Sequence, residues 1–102
     1  MNQARLLAQV KKMQAEMTAA QEELANTVVS GTAGGGTVTV EATCDQRVKS
    51  VKISAEAVDP QDVETLEDLV VIAVNDALAK SLEASQRRMA SVTGGINIPG
   101  LT

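Results

Sequence analysis

The sequence predicts an α+β protomer in the order helix, three antiparallel strands, helix (α-β-β-β-α). Three observations carry that prediction. An apolar seam at heptad spacing runs through residues 1–25, period-two alternation appears twice within residues 26–54, and helical periodicity returns from residue 59 to about residue 91.

The first helix follows from a stretch without Gly or Pro between Asn2 and Ala25. Its apolar residues fall at Leu6, Val10, Met13, Met17, Ala20 and Leu24, alternately four and three apart. That is an a/d seam sustained for nearly three heptads, a narrow stripe suited to packing against another helix. About 24 residues make a rod of roughly 36 Å.

The strands follow from the change of period. Val38 and Val40 alternate with Thr37, Thr39 and Glu41, and Val51 and Ile53 with Ser50, Lys52 and Ser54; Thr27-Val28-Val29-Ser30 is a shorter third candidate. Gly31-Thr32-Ala33-Gly34-Gly35-Gly36 reads as a flexible hairpin connection, and Cys44-Asp45-Gln46-Arg47 as a tighter turn. The result is an antiparallel meander with one face available to helices.

The second helix is expected to open at Asp59-Pro60, an N-cap followed by proline at the first helical position, with Asp62 and Glu64 near its positive end. Two seams can be traced along it. Val63, Leu66, Val70, Ala73 and Ala77 are assigned to the sheet; Val71, Val74, Leu78, Leu82, Ser85 and Met89 are assigned to a partner helix, with exchange of the two faces left open. Gly94-Gly95 should stop the helix near Ser91, leaving an irregular apolar tail through Leu101.

Composition narrows the function. One domain is expected over residues 1–102. With no Phe, Tyr or Trp, the core must come from aliphatic residues. So small a core is marginal alone, which favours a homodimer. Leu6, Val10, Met13, Met17, Leu78 and Leu82 are the candidate interface residues. The chain lacks His, the commonest general base and metal ligand, and Cys44 is its single cysteine. Cys44 reads as a small buried residue near a strand end. No catalytic residue, metal site or cofactor is expected. The longest apolar run, Leu69 to Val74, is too short to span a bilayer, and residues 1–5 show no signal-peptide core; a cytoplasmic protein without membrane or small-molecule partners is expected.

Other constellations fail on chemistry. The glycine cluster at Gly31 and Gly34 to Gly36 leads into a strand, without the Lys-Ser/Thr and helix a phosphate loop needs. Glu22/Glu23 and Glu67/Asp68 diverge by about 100° on their helices. Asp59, Asp62 and Glu64 lack calcium-loop spacing. Charge is more informative. The chain is acidic overall, 13 Asp and Glu against 9 Lys and Arg, but residues 1–15 carry Arg5, Lys11 and Lys12 with no acid, and residues 80–102 carry Lys80, Arg87 and Arg88 against Glu83 alone. A cation near a helix N-terminus, as at Arg5, makes sense where an anion such as phosphate is met. Arg47, Lys49 and Lys52 read as solvent-facing guards of a sheet edge.

These features together resemble the YbaB/EbfC family of nucleoid-associated proteins over nearly the whole chain. The residues carrying the resemblance are Gln9, Met13, Gln14, Met17 and Gln21, the glycine-rich hairpin before Thr37-Val38-Thr39-Val40, Val51-Lys52-Ile53 leading to Asp59-Pro60, Leu66-Glu67-Asp68-Leu69-Val70, Ala73, Asn75-Asp76-Ala77, Lys80, Met89, Gly94-Gly95 and Pro99-Gly100-Leu101. The resemblance implies a tweezers-like homodimer with projecting helices. It also implies binding, bending or compaction of duplex DNA in the bacterial nucleoid, with effects on gene expression. By position, Arg5, Lys11, Lys12, Arg87 and Arg88 inherit the DNA contacts, mainly to phosphates and with low sequence specificity. Asn75 and Asp76 are read as structural. The competing reading is a helical protein-interaction module that uses Met13 and Met17 as an adaptable surface.

Overall fold

Helix α1 spans Gln3–Ala25. It starts at Asn2, whose side-chain oxygen accepts the Ala4 N–H at 3.0 Å. It stops where Asn26 Nδ2 donates to the Glu22 carbonyl and Thr27 Oγ1 to that of Glu23, while the Cys44 N–H bonds the Leu24 carbonyl. Carbonyls left over at the helix end are thereby satisfied. The computed structural model describes residues 2–93; the expected stop at Gly94-Gly95 and the irregular tail lie outside them.

Strands β1 (Val28–Ala33), β2 (Val38–Thr43) and β3 (Arg47–Ile53) form one antiparallel sheet in the order β1-β2-β3, the meander expected from the alternation. Val38 pairs with Ala33 and Ile53, and Val40 with Gly31 and Val51, so these residues share the inner face. The first strand is longer than its sequence suggests. Gly31, Thr32 and Ala33 belong to β1, and the connection is only Gly34 to Thr37, its three glycines at positive φ. Gly31 is held rather than flexible. A Cβ there would lie 2.2 Å from the Ala77 nitrogen and 2.4 Å from the Ala73 oxygen, so it is the bare point at which a helix backbone meets the strand.

Helix α2 spans Val63–Val92, starting later than residue 59. Asp59-Pro60 makes a separate turn instead. The Asp59 side chain accepts the Gln61 N–H and its carbonyl accepts the Asp62 N–H, both at 2.9 Å, with proline in the second position that such turns favour. Asp62 is the true cap, accepting the Thr65 N–H at 3.3 Å and its hydroxyl at 2.6 Å. The two aspartates carry the same local signal, and only the turn geometry separates them.

Ala73, Ala77 and Ser81 form a buried stripe one helical turn apart that seats α2 on the sheet. Around it Leu66, Leu69, Val70, Val74 and Leu78 pack against Val29, Ala33, Val38, Val40 and Ala42. The seam assigned to the sheet does face it, except for Val63, which is exposed. Buried Ser81 is fully used: its hydroxyl donates to the Thr43 carbonyl at 2.8 Å and accepts from Gln46 Nε2 at 2.7 Å. That second bond anchors the β2–β3 turn, where Gln46 adopts φ 70°.

The chain is elongated, 71 × 26 × 16 Å, with a radius of gyration of 19.5 Å. A spherical domain of this length would have about 13 Å. Helix α2 accounts for roughly 45 Å. The remainder comes from α1, whose last turns, at buried Ala20 and Leu24, pack on α2 while its first half projects.

Candidate functional site

The projecting half of α1 gathers charge that no ion pair among the described residues cancels. Arg5, Lys11 and Lys12 are exposed and make no ion pair among the described residues, and the first acid along the helix is Glu16. Arg5 and Lys12 share one flank, seven residues apart, and Lys11 lies on another. Between them Leu6, Leu7 and Val10 are also exposed, at 52%, 60% and 45%.

The other two candidate cations are engaged. Arg87 pairs with Glu83 one turn back at 2.7 Å. Both side chains are well exposed, so the pair is weak and readily exchanged. Arg88 is only partly exposed and bonds Glu23 of α1 through Nε and Ser91 Oγ through a terminal nitrogen. On β3, Arg47 approaches Asp45 at 3.6 Å, and Lys49 and Lys52 make no ion pair among the described residues. Lys49 is the extra residue of a bulge, because Glu41 pairs with Ser50 and Ala42 with Val48.

Lys80 has a different task. Its ammonium bonds the Ser30 carbonyl at 3.2 Å and the Asp76 carboxylate at 3.1 Å, and that carboxylate accepts the Thr32 N–H at 3.1 Å. Ser30 and Thr32 carry the outward-pointing backbone groups of edge strand β1, so this pair seals the edge against strand addition. The Thr32 N–H and then the Lys80 ammonium hold the Asp76 carboxyl below the usual carboxylate range. Asn75 is exposed.

A second surface is aliphatic. Helix α2 packs mainly over β1 and β2. The inner-face residues of β3 are thus left 41–44% exposed: Val48, Val51 and Ile53. Lys80 and Asp76 fix which flank of α2 faces β1. The opposite flank, Val71, Val74, Leu78 and Leu82, therefore lies on the β3 side. Leu78 and Val74 are half-buried against the core, while Val71 and Leu82 are exposed. On α1, Met13 and Met17 are half-buried. Sequence reasoning missed Val48, Val51 and Ile53 because alternation says that a face is inward, not whether the helix reaches it. It also missed that Glu23 and Glu83 occupy two of the candidate cations.

Nothing among the described residues offers reactive chemistry. Among the described residues no cluster of three potential metal ligands occurs, and no helix is long and apolar enough to cross a membrane. Cys44 is 1% exposed, and burial, followed by the Asp45 charge, raises its thiol pKa and disfavours the nucleophilic thiolate.

Comparison with known proteins supplies independent information. Residues 1–96 match the YbaB/EbfC DNA-binding family. A nucleoid-associated protein of Desulforamulus reducens is 52% identical over 100 residues, covering 98% of this chain and 95% of the relative. One from Chloroflexus aurantiacus is 48% identical over 96 residues, covering 94% and 96%. The crystal structure of an uncharacterized Helicobacter pylori protein shares the fold at a TM-score of 0.79 and 20% identity, covering 92% of this chain and 99% of that one.

Proposed function

The chain belongs to the YbaB/EbfC DNA-binding family, and on that premise we propose that it acts without catalysis, as a homodimer gripping duplex DNA in the bacterial nucleoid. The observation that carries this reading is the acid-free projecting arm with its unpaired Arg5, Lys11 and Lys12. A cationic rod standing clear of an acidic body presents charge to a polyanion while holding the repelling carboxylates back. Contacts of this kind go to phosphates and carry little sequence information. Arg87 joins them by exchanging Glu83 for phosphate. Bending or compaction of the DNA, and effects on gene expression, would follow from two arms engaging one duplex.

The dimer is supported by surface area. The chain exposes 7333 Å². A folded monomer of this mass exposes about 5,500 Å². The excess includes the uncovered aliphatic face of β3 and α2, where Val48, Val51, Ile53, Val71, Leu78 and Leu82 meet their symmetry mates; half-buried Met13 and Met17 extend the contact at the base of the arm.

The test is a salt titration of binding to random duplex DNA. If a dimer neutralises about four to six phosphates, log K falls against log salt with a slope of roughly −4 to −5. Arg5→Glu with Lys12→Glu weakens binding to every sequence alike and leaves the dimer intact. Salt-insensitive binding, or none at low salt, refutes the proposal. The exposure of Leu6, Leu7 and Val10 favours one competing reading, a module for a partner helix. A protein that ignores DNA at low salt yet binds an apolar helix would establish it.

A further inference from the structure

We infer that the Glu23–Arg88 ion pair sets the direction of the α1 arm, making Arg88 a positioning residue for the arm's cations rather than a phosphate contact; this rests on the DNA-binding reading above. Helix α1 is seated on α2 by its last turns, where Ala20 and Leu24 are buried, and two polar ties flank that seat. The first is at its end, where the Leu24 carbonyl and the Ser81 hydroxyl meet at the β2 terminus, one bonded to the Cys44 N–H and the other to the Thr43 carbonyl. The second is Glu23 on Arg88. Ser81 and Arg88 are separated by about 10 Å along α2. The short apolar seat holds the helix down, and two polar ties so spaced fix the line along which it leaves.

The guanidinium is built in on both sides. Nε donates to Glu23, and a terminal nitrogen donates at 2.8 Å to Ser91 Oγ, whose own hydroxyl bonds the Arg88 carbonyl at 2.7 Å. Its side chain is 37% exposed, against 73% for neighbouring Arg87. Arg87 is therefore the cation turned to solvent, and Arg88 the one turned to α1. The lever is long. Gln3 lies roughly 30 Å along the helix from Glu23, so a 10° swing at the base moves the tip by about 5 Å. That displacement exceeds a hydrogen bond and takes Arg5 off a phosphate it would otherwise reach.

Positioning and direct contact predict opposite signs. Glu23→Ala removes a negative charge, so if Arg88 contacts phosphate the variant binds DNA more tightly. If Arg88 positions the arm, the variant binds about twofold to fivefold more weakly. Arg88→Lys keeps the charge but not the two-sided geometry, and weakens binding comparably. The double variant adds little to either single one, because the two residues act as a unit. Tightening in Glu23→Ala, or no change in both variants, overturns the inference. A DNA-free readout separates it from the reading it rests on. Spin labels at Gln3→Cys and Glu64→Cys, on chains diluted into unlabelled ones, give a narrow distance distribution that broadens in Glu23→Ala. An unchanged distribution overturns the inference whatever DNA does, and failure of the parent protein to bind DNA at low salt overturns only the function.

Discussion

Replacing Gly31 by alanine tests the central packing contact of the fold. The added methyl would sit 2.2 Å from the Ala77 backbone nitrogen, 2.4 Å from the Ala73 oxygen and 2.8 Å from the Ala77 Cα. Ordinary contact needs more than a further ångström. The obstructing atoms are helix backbone and cannot rotate aside as a side chain would, so α2 must lift from β1 and loosen Val29, Ala33, Val38 and Val40 beneath it. Overpacking of a core costs about 1–3 kcal/mol, and a clash with backbone belongs at the top of that range. The entropy removed from the unfolded chain returns only about 0.4–1 kcal/mol. A net loss of roughly 2 kcal/mol or more lowers the melting temperature of a domain this size by about 10 °C or more. The assay is urea denaturation at matched chain concentrations, since association would itself shift the midpoint. Gly35→Ala is the control: nothing lies within 4 Å of its Cβ, although φ 68° leaves it a small conformational cost. If Gly31→Ala unfolds within about 0.5 kcal/mol of the parent, α2 does not approach β1 as described.

Other perturbations probe separate features. The folded Asp76 pKa is depressed, so its contribution to stability is in place above the unfolded value of about 4 and disappears as pH falls through the folded value. The parent should therefore lose stability more steeply below pH about 4 than Asp76→Asn does, and parallel denaturation curves exclude the contact with Thr32. Ser81→Ala deletes the bond to the Thr43 carbonyl and releases Gln46, at an expected cost of about 1–2 kcal/mol in the same urea assay; a neutral result removes the anchor. Val51→Glu places a charge in the aliphatic face and should convert the proposed dimer to monomers in sedimentation, whereas a variant that stays dimeric moves the interface elsewhere and a monomeric parent refutes the dimer.

The order of elements was legible because each change of hydrophobic period marks a change of structure. Heptad spacing gave α1 and alternation gave β2 and β3, while Ala73 and Ala77 were correctly assigned to the sheet. Local signals failed where two satisfied the same rule. Asp59 and Asp62 are both plausible caps, and the choice depends on Pro60 being absorbed into a turn. Gly31 looked like part of a flexible loop because a glycine needed for closeness reads the same as one needed for freedom. The candidate cations divide by sequence distance. The acid-free run around Arg5, Lys11 and Lys12 is a property of neighbouring residues, but the engagement of Arg88 by Glu23 spans 65 positions and appears only once the helices cross.

The seal on β1 has a consequence for assembly. A sheet that can be extended on one flank only cannot polymerise by strand addition. In the proposed dimer, closed through the aliphatic face of β3 and α2, each copy would turn this stoppered flank outward, and a third copy would find no vacancy along β1. Asp76, remote from the cationic arm, would thereby guard an aliphatic, aromatic-free protein against open-ended strand pairing.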